Sequence, residues 1–316
     1  MEKRNLGKSN IEVYPIAFGG NVLGWTTDEK TSFEVLDAFV EEGFNFIDTA
    51  NSYSRWAPGH KGGESETILG KWMKERKNRD KIILATKVGS DMGLGKVCLA
   101  GKYIIKEVEA SLLRLQTNYI DLYQSHFDDL KTPVGETLEA LDTLIRQGKV
   151  RIIGASNFSA ARLTEALNYS KDNGLASYVT LQPEYNLYAR EKYEKEYEEI
   201  CIKENLGVIT YFSLASGFLT GKYREEKDNT KSVRGDGIKK YYNDRGFKIL
   251  DTLDVLASKH NVSPAAIALA WLIKRPSVTA PIASATSVIQ LQQIAKSCKI
   301  NLETKDVELL TIASQY

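Results

Sequence analysis

Eight short apolar runs recur along the chain, and longer segments with helical spacing lie between them. Apolar runs of this length between turn residues are typical of buried strands. The runs occupy residues 16–20, 44–48, 82–87, 119–125, 150–156, 178–182, 207–212 and 277–282. The pattern therefore predicts eight strands that alternate with helices along the whole chain.

The segments between the runs carry helix start and stop signals. Thr132 and Pro133 have the pattern of an N-cap followed by proline at the first helical position, and Gly148 ends that helix. Ser263 and Pro264 repeat the start signal. Further helices are predicted at residues 29–42, 64–77, 104–117, 159–172, 191–205, 246–260, 287–297 and 302–313.

Eight strand–helix units over this length fit one parallel (β/α)8 barrel, the TIM barrel of the α/β class. A doubly wound sheet is the alternative. Gly19, Gly20 and Gly24 in the first strand-to-helix turn do not have the spacing of a G-x-G-x-x-G phosphate-binding turn, which weakens that alternative. We expect residues 1–316 to form a single barrel domain.

Composition excludes several classes of function. A net charge of +1 gives no overall attraction for nucleic acid or an anionic membrane. Cys98, Cys201 and Cys298 lack metal-ligand spacing, and neither G-x-S-x-G nor H-E-x-x-H occurs, so serine and zinc chemistry lack their residues. No segment approaches the ~18 apolar residues of a membrane span. We therefore expect a cytoplasmic protein with reduced thiols and no metal, nucleic-acid or membrane partner.

Four polar side chains follow three successive predicted strands: Asp48, Tyr53, Lys87 and His126. Each alone has a structural interpretation, such as a rim aromatic, a surface charge, a helix cap or a buried histidine. In a barrel, however, these strand ends meet at the rim where active sites are built. Tyrosine is a proton donor at neutral pH, a neighbouring ammonium favours its phenolate, and a histidine can orient a substrate oxygen. Together they predict one catalytic site.

Six motifs resemble those of the aldo-keto reductases: FNFIDTANSY, Thr-Lys after an apolar strand, LYQSH, GASNF, LQPEYN and LASGFLTGKY. The resemblance runs from an N-terminal hairpin, KRNLGKSNIEV, to the last helix, and it is closest to the bacterial branch that includes the potassium-channel β-subunits. It implies a (β/α)8 barrel with extra C-terminal helices that reduces aldehydes and ketones with NADPH, without metal or flavin. In that comparison Tyr53 resembles the general acid, Asp48 and Lys87 the pair that tunes it, and His126 the carbonyl-orienting residue.

The same resemblance implies a nicotinamide cofactor site. Ser156, Asn157 and Gln182 match the residues that hold the carboxamide, and Tyr211 matches the aromatic on which the ring stacks. The segment that resembles the pyrophosphate-binding loop contains Leu214, Ser216, Gly217, Leu219 and Lys222. The adenosine end contains Ser284, Thr286, Gln290 and Gln293.

The chain departs from the family pattern near the phosphates. Branch members usually read Tyr-Ser-Pro-Leu where this chain has Tyr-Phe-Ser-Leu at residues 211–214, so a phosphate-facing hydroxyl is missing or displaced. Thr286 stands where an arginine often meets the 2′-phosphate of NADP, and Gln293 and Ile294 replace a Glu-Asn pair near the adenine. Losing the arginine removes a charge-assisted contact. NADP remains the expected cofactor, while NAD or dual use stays open; Lys222 or a basic residue of the 221–245 insertion could compensate.

Two insertions, residues 54–63 and 221–245, interrupt the alternation and would lie on the rim, either as a lid or cofactor clasp or as solvated loops. Trp25, Trp56 and Phe127 are expected as the apolar walls of a pocket for a flat or bulky carbonyl substrate. The leading hypothesis is therefore an NAD(P)H-dependent carbonyl reductase acting on a small molecule. The alternative is a slow-turnover, cofactor-binding subunit of a membrane or other protein. The oligomeric state is not determined, so a homo-oligomer stays open.

Overall fold

The strands of the computed structural model, which describes residues 1–231 and 235–316, form a closed parallel barrel. An antiparallel hairpin of β1 (Arg4–Asn5) and β2 (Glu12–Val13) precedes it. The barrel strands are β3 Ala17–Gly19, β4 Phe46–Asp48, β5 Ile83–Val88, β6 Ile120–Ser125, β7 Val150–Ser156, β8 Tyr178–Gln182, β9 Gly207–Thr210 and β10 Val278–Ala283. The predicted TIM barrel and N-terminal hairpin are confirmed.

Helices follow the strands around the outside of the barrel. They are α1 Glu29–Glu41, α2 Glu64–Arg76, α3 Gly101–Leu115, α4 Val134–Arg146, α5 Ala160–Asp172, α6 Glu198–Lys203, α7 Asp244–His260, α8 Pro264–Lys274, α9 Val288–Ala295 and α10 Thr304–Ala313. A π-helical turn, Tyr193–Tyr197, leads into α6. Over the described ranges, no helix is long and apolar enough to cross a membrane.

The start of α4 differs from the prediction. Pro133 is itself the capping residue, with extended ψ of 139°, and the helix begins at Val134. The Thr132 hydroxyl donates to Asp129 Oδ2 at 2.7 Å, so it is not available to cap the helix. At α8 the same start signal is confirmed, because the Ser263 side chain accepts from the backbone N–H of Ala266 and Pro264 opens the helix.

The hairpin closes the amino-terminal end of the barrel, and the opposite end is not covered by it. Leu6, Ile11 and Val13 of the hairpin region pack with Phe46 and Leu122 inside the barrel, and all five are buried. Burying a large apolar side chain contributes about 1.5–3 kcal/mol, so this plug stabilises the N-terminal end. All eight strands are parallel, and their carboxyl ends therefore gather at the opposite rim.

Both insertions fold against the rim. Residues 54–63 form consecutive turns, anchored where the Ser54 hydroxyl donates to the Leu23 carbonyl at 2.9 Å. The 221–245 insertion contains two short 3-10 helices, Glu226–Lys231 and Gly235–Tyr241, and then runs into α7. Residues 232–234 of this predicted insertion lie outside the described residues.

Candidate active site

Lys87 is the centre of the polar cluster at the carboxyl-end rim. Its side chain is completely buried, and its ammonium has three acceptors: Asp48 Oδ2 at 2.6 Å, the Thr49 carbonyl at 2.8 Å and Tyr53 Oη at 2.8 Å. An ammonium has three N–H donors, so these contacts match its full capacity. The strand register produces this convergence, because β4, β5 and β6 are neighbours in the barrel.

The Asp48 carboxylate is held by amides as well as by the lysine. Its Oδ1 accepts from Gln124 Nε2 at 3.0 Å and from Gln182 Nε2 at 2.9 Å, and its Oδ2 faces Lys87. A buried carboxylate is tolerated only when it is paired and hydrogen-bonded, and Asp48 meets both conditions. Burial lowers the pKa of Lys87 below its ordinary value, and the Asp48 charge opposes that shift.

Gln124 was not among the predicted site residues, although the sequence contains a signal for it. It lies two positions before His126, and side chains two apart on a strand point to the same face. His126 continues the strand, because its backbone N–H donates to the Val88 carbonyl at 2.8 Å. A polar residue at position 124 inside an apolar run therefore belongs to the same interior face as the histidine.

The Tyr53 hydroxyl oxygen accepts from Lys87, and the hydroxyl donates to Asp48. The hydroxyl lies 3.3 Å from Asp48 Oδ2, a long and therefore weak donor contact, and the ammonium lies 4.4 Å from the ring centroid. The side chain is half-buried at the rim. This arrangement can give up the phenolic proton to a molecule at the rim, because the ammonium remains to stabilise the phenolate.

His126 faces Tyr53 across the rim, with ring centroids 6.0 Å apart. Its Nδ1 is hydrogen-bonded to Ser90 Oγ at 3.1 Å, and its ring stacks on Phe127 at 4.8 Å. Burial, together with the charge of Lys87, holds the pKa of His126 well below its ordinary value. The imidazole is therefore neutral near pH 7 and can donate a hydrogen bond from one nitrogen while accepting one at the other.

The three aromatic residues predicted for the substrate pocket do surround this cluster. Trp56 lies edge-on to Tyr53 at 5.9 Å and to Trp25 at 5.4 Å, and Phe127 borders His126 on the other side. Trp56 and Phe127 are 50% and 40% exposed, so their ring surfaces are available to a bound molecule. The rim above Tyr53 is accordingly apolar and aromatic.

The residues predicted to hold a carboxamide also lie together. Tyr211 donates its hydroxyl to Asn157 Oδ1 at 2.9 Å, and Asn157 Nδ2 donates to the His126 carbonyl at 2.9 Å and to Ser156 Oγ at 3.1 Å. Ser156 in turn donates to the Gln182 carbonyl at 2.9 Å. Burial raises the pKa of Tyr211 to about 12, which keeps its hydroxyl protonated and donating.

The segment after β9 turns sharply through left-handed backbone. Phe212, Ala215, Ser216 and Gly217 all have positive φ, between 49° and 100°. Consecutive residues of this kind turn backbone amides toward a concave surface that suits an anion. Leu214 and Leu219 close the turn through a backbone hydrogen bond of 3.2 Å.

The expected change at the phosphate-facing hydroxyl has a structural explanation. The Ser213 side chain is buried and donates to the Thr210 carbonyl at 2.9 Å, so it points into the barrel wall. Phe212 occupies the exposed position instead, with 49% of its surface accessible. The hydroxyl is thus displaced inward, and an aromatic ring replaces it at the rim.

At the predicted adenosine end of the site, several polar side chains are hydrogen-bonded to one another. Ser284 Oγ lies 2.6 Å from Asn21 Oδ1, and Gln290 Oε1 accepts from both the amide and the hydroxyl of Thr286, at 3.0 and 3.1 Å. Gln293 is placed further along α9, where it lines a shallow cavity of about 590 Å³ over the start of α8. Thr286, at the position where an arginine was considered, is therefore a short, neutral side chain hydrogen-bonded to Gln290 of α9.

Two basic residues of the 221–245 insertion are paired with carboxylates. Arg224 makes a two-pronged contact with Asp254 at 2.7 and 2.8 Å, and Lys227 pairs with Glu225 at 2.6 Å. Lys222 is exposed, with its ammonium 4.9 Å from the Tyr223 ring centroid. Of the proposed compensating cations, Arg224 is committed to a carboxylate while Lys222 lies in the predicted pyrophosphate-binding segment.

A second cavity of about 410 Å³ lies beside the polar cluster and shares Tyr211 and Asn157 with the candidate cofactor site. Tyr211 and Asn157 form one wall, and Tyr188, Tyr241 and Tyr316 form others. None of Asp48, Tyr53, Lys87 and His126 lines it. The four residues predicted to be catalytic therefore lie at the rim outside this cavity.

In the part of the chain that the structure describes, no group of three or more His, Cys, Asp or Glu side chains is arranged to hold a metal ion. Cys98, Cys201 and Cys298 are free thiols. Burial raises the pKa of Cys298 to about 11, which leaves that thiol protonated and unreactive near neutrality.

A closed (β/α)8 barrel with its polar cluster at the carboxyl-end rim has the architecture of a barrel enzyme. Residues 15–315 match the model of the Aldo/keto reductase family. The chain therefore belongs to the aldo/keto reductase family of nicotinamide-dependent oxidoreductases, as the sequence motifs predicted.

Relatives with different described functions have similar sequence identity to this chain. The chain is 35% identical over 318 residues to the uncharacterized oxidoreductase YrpG of Bacillus subtilis, covering 98% of this chain and 95% of the relative. It is 31% identical over 324 residues to norsolorinic acid reductase B of Aspergillus parasiticus, covering 98% and 82%. It is also 31% identical over 315 residues to a probable voltage-gated potassium channel subunit beta of Arabidopsis thaliana, covering 95% and 92%.

Proposed function

We propose that this protein reduces aldehyde or ketone carbonyls to alcohols, with Tyr53 as the proton donor. The observation that carries the proposal is the contact of Lys87 with both Asp48 and Tyr53, at 2.6 and 2.8 Å, in a fully buried position. A buried ammonium against a phenol favours loss of the phenolic proton. Family membership supports the same chemistry.

A bound nicotinamide would supply a hydride to the carbonyl carbon. The electron pair of the C=O π bond then moves to oxygen, and Tyr53 Oη transfers its proton to that oxygen, leaving a phenolate beside Lys87. Asp48 keeps the lysine charged and fixed in place. His126, neutral and anchored at Nδ1 by Ser90, directs Nε2 toward the rim to orient the carbonyl oxygen.

The donor set fits a nicotinamide cofactor. Tyr211 offers an aromatic face, while Asn157, Gln182 and Ser156 offer amide and hydroxyl groups for a carboxamide. The Gln182 amide nitrogen already donates a hydrogen bond to Asp48, so we assign its Oε1 oxygen to accept one from the cofactor carboxamide. The left-handed backbone at residues 215–217 and the Lys222 ammonium suit a pyrophosphate.

We propose NADPH as the main cofactor, with weak discrimination against NADH. Thr286 carries no charge for a 2′-phosphate and is folded onto Gln290, and Arg224 is held by Asp254. We assign Lys222 to the phosphates because it lies in the predicted pyrophosphate-binding segment. A lysine ammonium binds phosphate more weakly and less directionally than an arginine guanidinium, which can donate two parallel hydrogen bonds.

The aromatic rim supports flat carbonyl substrates. Trp25, Trp56 and Phe127 offer ring surfaces on both sides of Tyr53 and His126. Stacking on such surfaces adds about 0.5–1.5 kcal/mol beyond simple burial. Trp56→Ala should therefore raise KM for an aromatic aldehyde several-fold more than for a small aliphatic aldehyde. Leu130→Ala, which changes an exposed residue nearby, serves as the control.

A slow-turnover regulatory subunit is the second candidate, favoured by the similarity to the plant protein described as a potassium channel subunit beta. Such a protein would bind NADPH yet turn over few carbonyls. One assay separates the two candidates. NADPH oxidation is followed with a panel of aromatic and aliphatic aldehydes, using wild type and Tyr53→Phe. The matched control is Tyr119→Phe, which lies just before β6 at the amino-terminal end of the barrel.

We expect wild type and Tyr119→Phe to turn over at similar rates and Tyr53→Phe to lose about 10²–10⁴-fold in kcat. NADPH binding without turnover in the wild type would favour the regulatory candidate. Equal rates from wild type and Tyr53→Phe would contradict the proton-donor assignment.

A further inference from the structure

We propose that Asn186 is a positioning residue for the nicotinamide site: it holds the strained backbone of Phe212 and thereby the orientation of Tyr211. This inference rests on the proposed function, because it assigns Tyr211 to the cofactor. Asn186 does not touch the catalytic cluster, and its effect is expected on cofactor binding.

Phe212 adopts a backbone conformation that its side chain disfavours. Its φ is +49°, in the left-handed region, which is uncommon for bulky residues because Cβ crowds the following carbonyl. The residue directly follows Tyr211, so its conformation sets the direction in which the chain leaves the end of β9. Strain of this kind persists where surrounding contacts enforce it.

Asn186 supplies such contacts from a completely buried position. Its Nδ2 donates to the Phe212 carbonyl at 2.9 Å. Its Oδ1 accepts from the backbone N–H groups of Tyr188 and Ala189, both at 2.8 Å. The side chain therefore joins the loop after β8 to the carbonyl of the strained residue.

The Phe212 carbonyl has a second donor, the N–H of Ala215 at 2.7 Å. Turning the peptide that follows Phe212 into a relaxed conformation would break both hydrogen bonds. A carbonyl with two satisfied lone pairs resists that rotation, and removing the Asn186 donor takes away one of the two restraints.

Tyr211 depends on this geometry because it is held on three sides. Its N–H donates to the Pro183 carbonyl at 2.9 Å, its hydroxyl donates to Asn157, and its ring meets the edge of Phe212 at 5.3 Å. If Phe212 relaxed, the ring of Tyr211 would leave its present position beside Asn157. The proposal therefore predicts weaker nicotinamide binding without a direct contact being lost.

The test measures NADPH affinity by titration calorimetry, with no substrate present. Asn186→Asp retains the oxygen that accepts from Tyr188 and Ala189 and removes the N–H donor to Phe212. We expect it to weaken NADPH binding by about tenfold. In a Phe212→Gly background the same change should weaken binding by less than about twofold, because glycine adopts the left-handed backbone without that steric cost.

A second pair of variants tests the strain with Asn186 intact, in case Asn186→Asp does not fold. Phe212→Val and Phe212→Asn both remove the ring, but a β-branched residue disfavours positive φ whereas asparagine tolerates it. We expect the valine variant to bind NADPH about tenfold more weakly than the asparagine variant.

Equal affinities of the valine and asparagine variants, or an Asn186→Asp effect of the same size in both backgrounds, would overturn the proposal. A wild-type protein that bound neither NADPH nor NADH would contradict the proposed function itself. Normal wild-type binding with no effect of Asn186→Asp would contradict this inference alone.

Discussion

The Lys87 ammonium lies 2.8 Å from the Tyr53 hydroxyl oxygen and 2.6 Å from Asp48 Oδ2. The phenol oxygen thereby accepts a hydrogen bond before any substrate binds, and the hydroxyl donates to Asp48 Oδ2 over a long contact of 3.3 Å. Since both the lysine and the aspartate are fully buried, their charges depend on each other.

Lys87→Met should abolish catalysis and also destabilise the fold. Removing the cation leaves Asp48 as an unpaired buried charge, which costs about 3–5 kcal/mol of unfolding free energy. The double variant Lys87→Met with Asp48→Asn removes both charges and should recover much of that stability while remaining inactive. Urea unfolding and the carbonyl-reduction assay measure the two effects separately. Full activity in a folded double variant would contradict the role of the pair.

Acid should destabilise the protein through His126. Its pKa is held below the ordinary value in the folded state, so the unfolded chain binds a proton that the folded chain does not. The free energy of unfolding should therefore fall as pH drops below about 6.5, by up to ~1.4 kcal/mol per pH unit for one proton. His126→Gln should flatten this dependence. An unchanged slope in His126→Gln would assign the acid sensitivity elsewhere.

Ser90 should affect the orientation of His126 rather than the fold. Its hydroxyl is 3.1 Å from Nδ1, and among the described residues it is the one side chain hydrogen-bonded to that ring. Ser90→Ala should lower kcat/KM by about tenfold and alter the nitrogen chemical shifts of His126 in NMR spectra. Ser90→Thr keeps the hydroxyl and should retain both properties. Identical spectra for wild type and the alanine variant would rule out this contact in solution.

Thr286→Arg should increase the preference for NADPH. An arginine at this position can make charge-assisted contacts to a 2′-phosphate that threonine cannot. We expect the ratio of NADPH to NADH affinity to rise about tenfold or more, mainly through tighter NADPH binding. Thr286→Gln, which has a long neutral side chain, is the matched control. A similar gain in both variants would show that charge at residue 286 is not the determinant.

Periodicity in the sequence was enough to predict the barrel, because alternating short apolar runs and helical segments have few other solutions. The sequence did not predict which side chains form local hydrogen bonds. Thr132 occupies a position typical of a helix N-cap, yet its hydroxyl donates to Asp129 instead. The buried orientation of the Ser213 hydroxyl could not be predicted from the sequence either, because it follows a residue, Phe212, with left-handed backbone. Gln124 could have been found by applying the two-residue strand period backward from His126.

The central claim is that Tyr53 supplies the proton in carbonyl reduction. The most direct measurement compares single-turnover rates of wild type and Tyr53→Phe with saturating NADPH and an aromatic aldehyde, after equal cofactor binding has been verified. We predict that Tyr53→Phe binds NADPH normally and loses about 10²–10⁴-fold in the rate of reduction. A rate equal to that of the wild type would contradict the assignment.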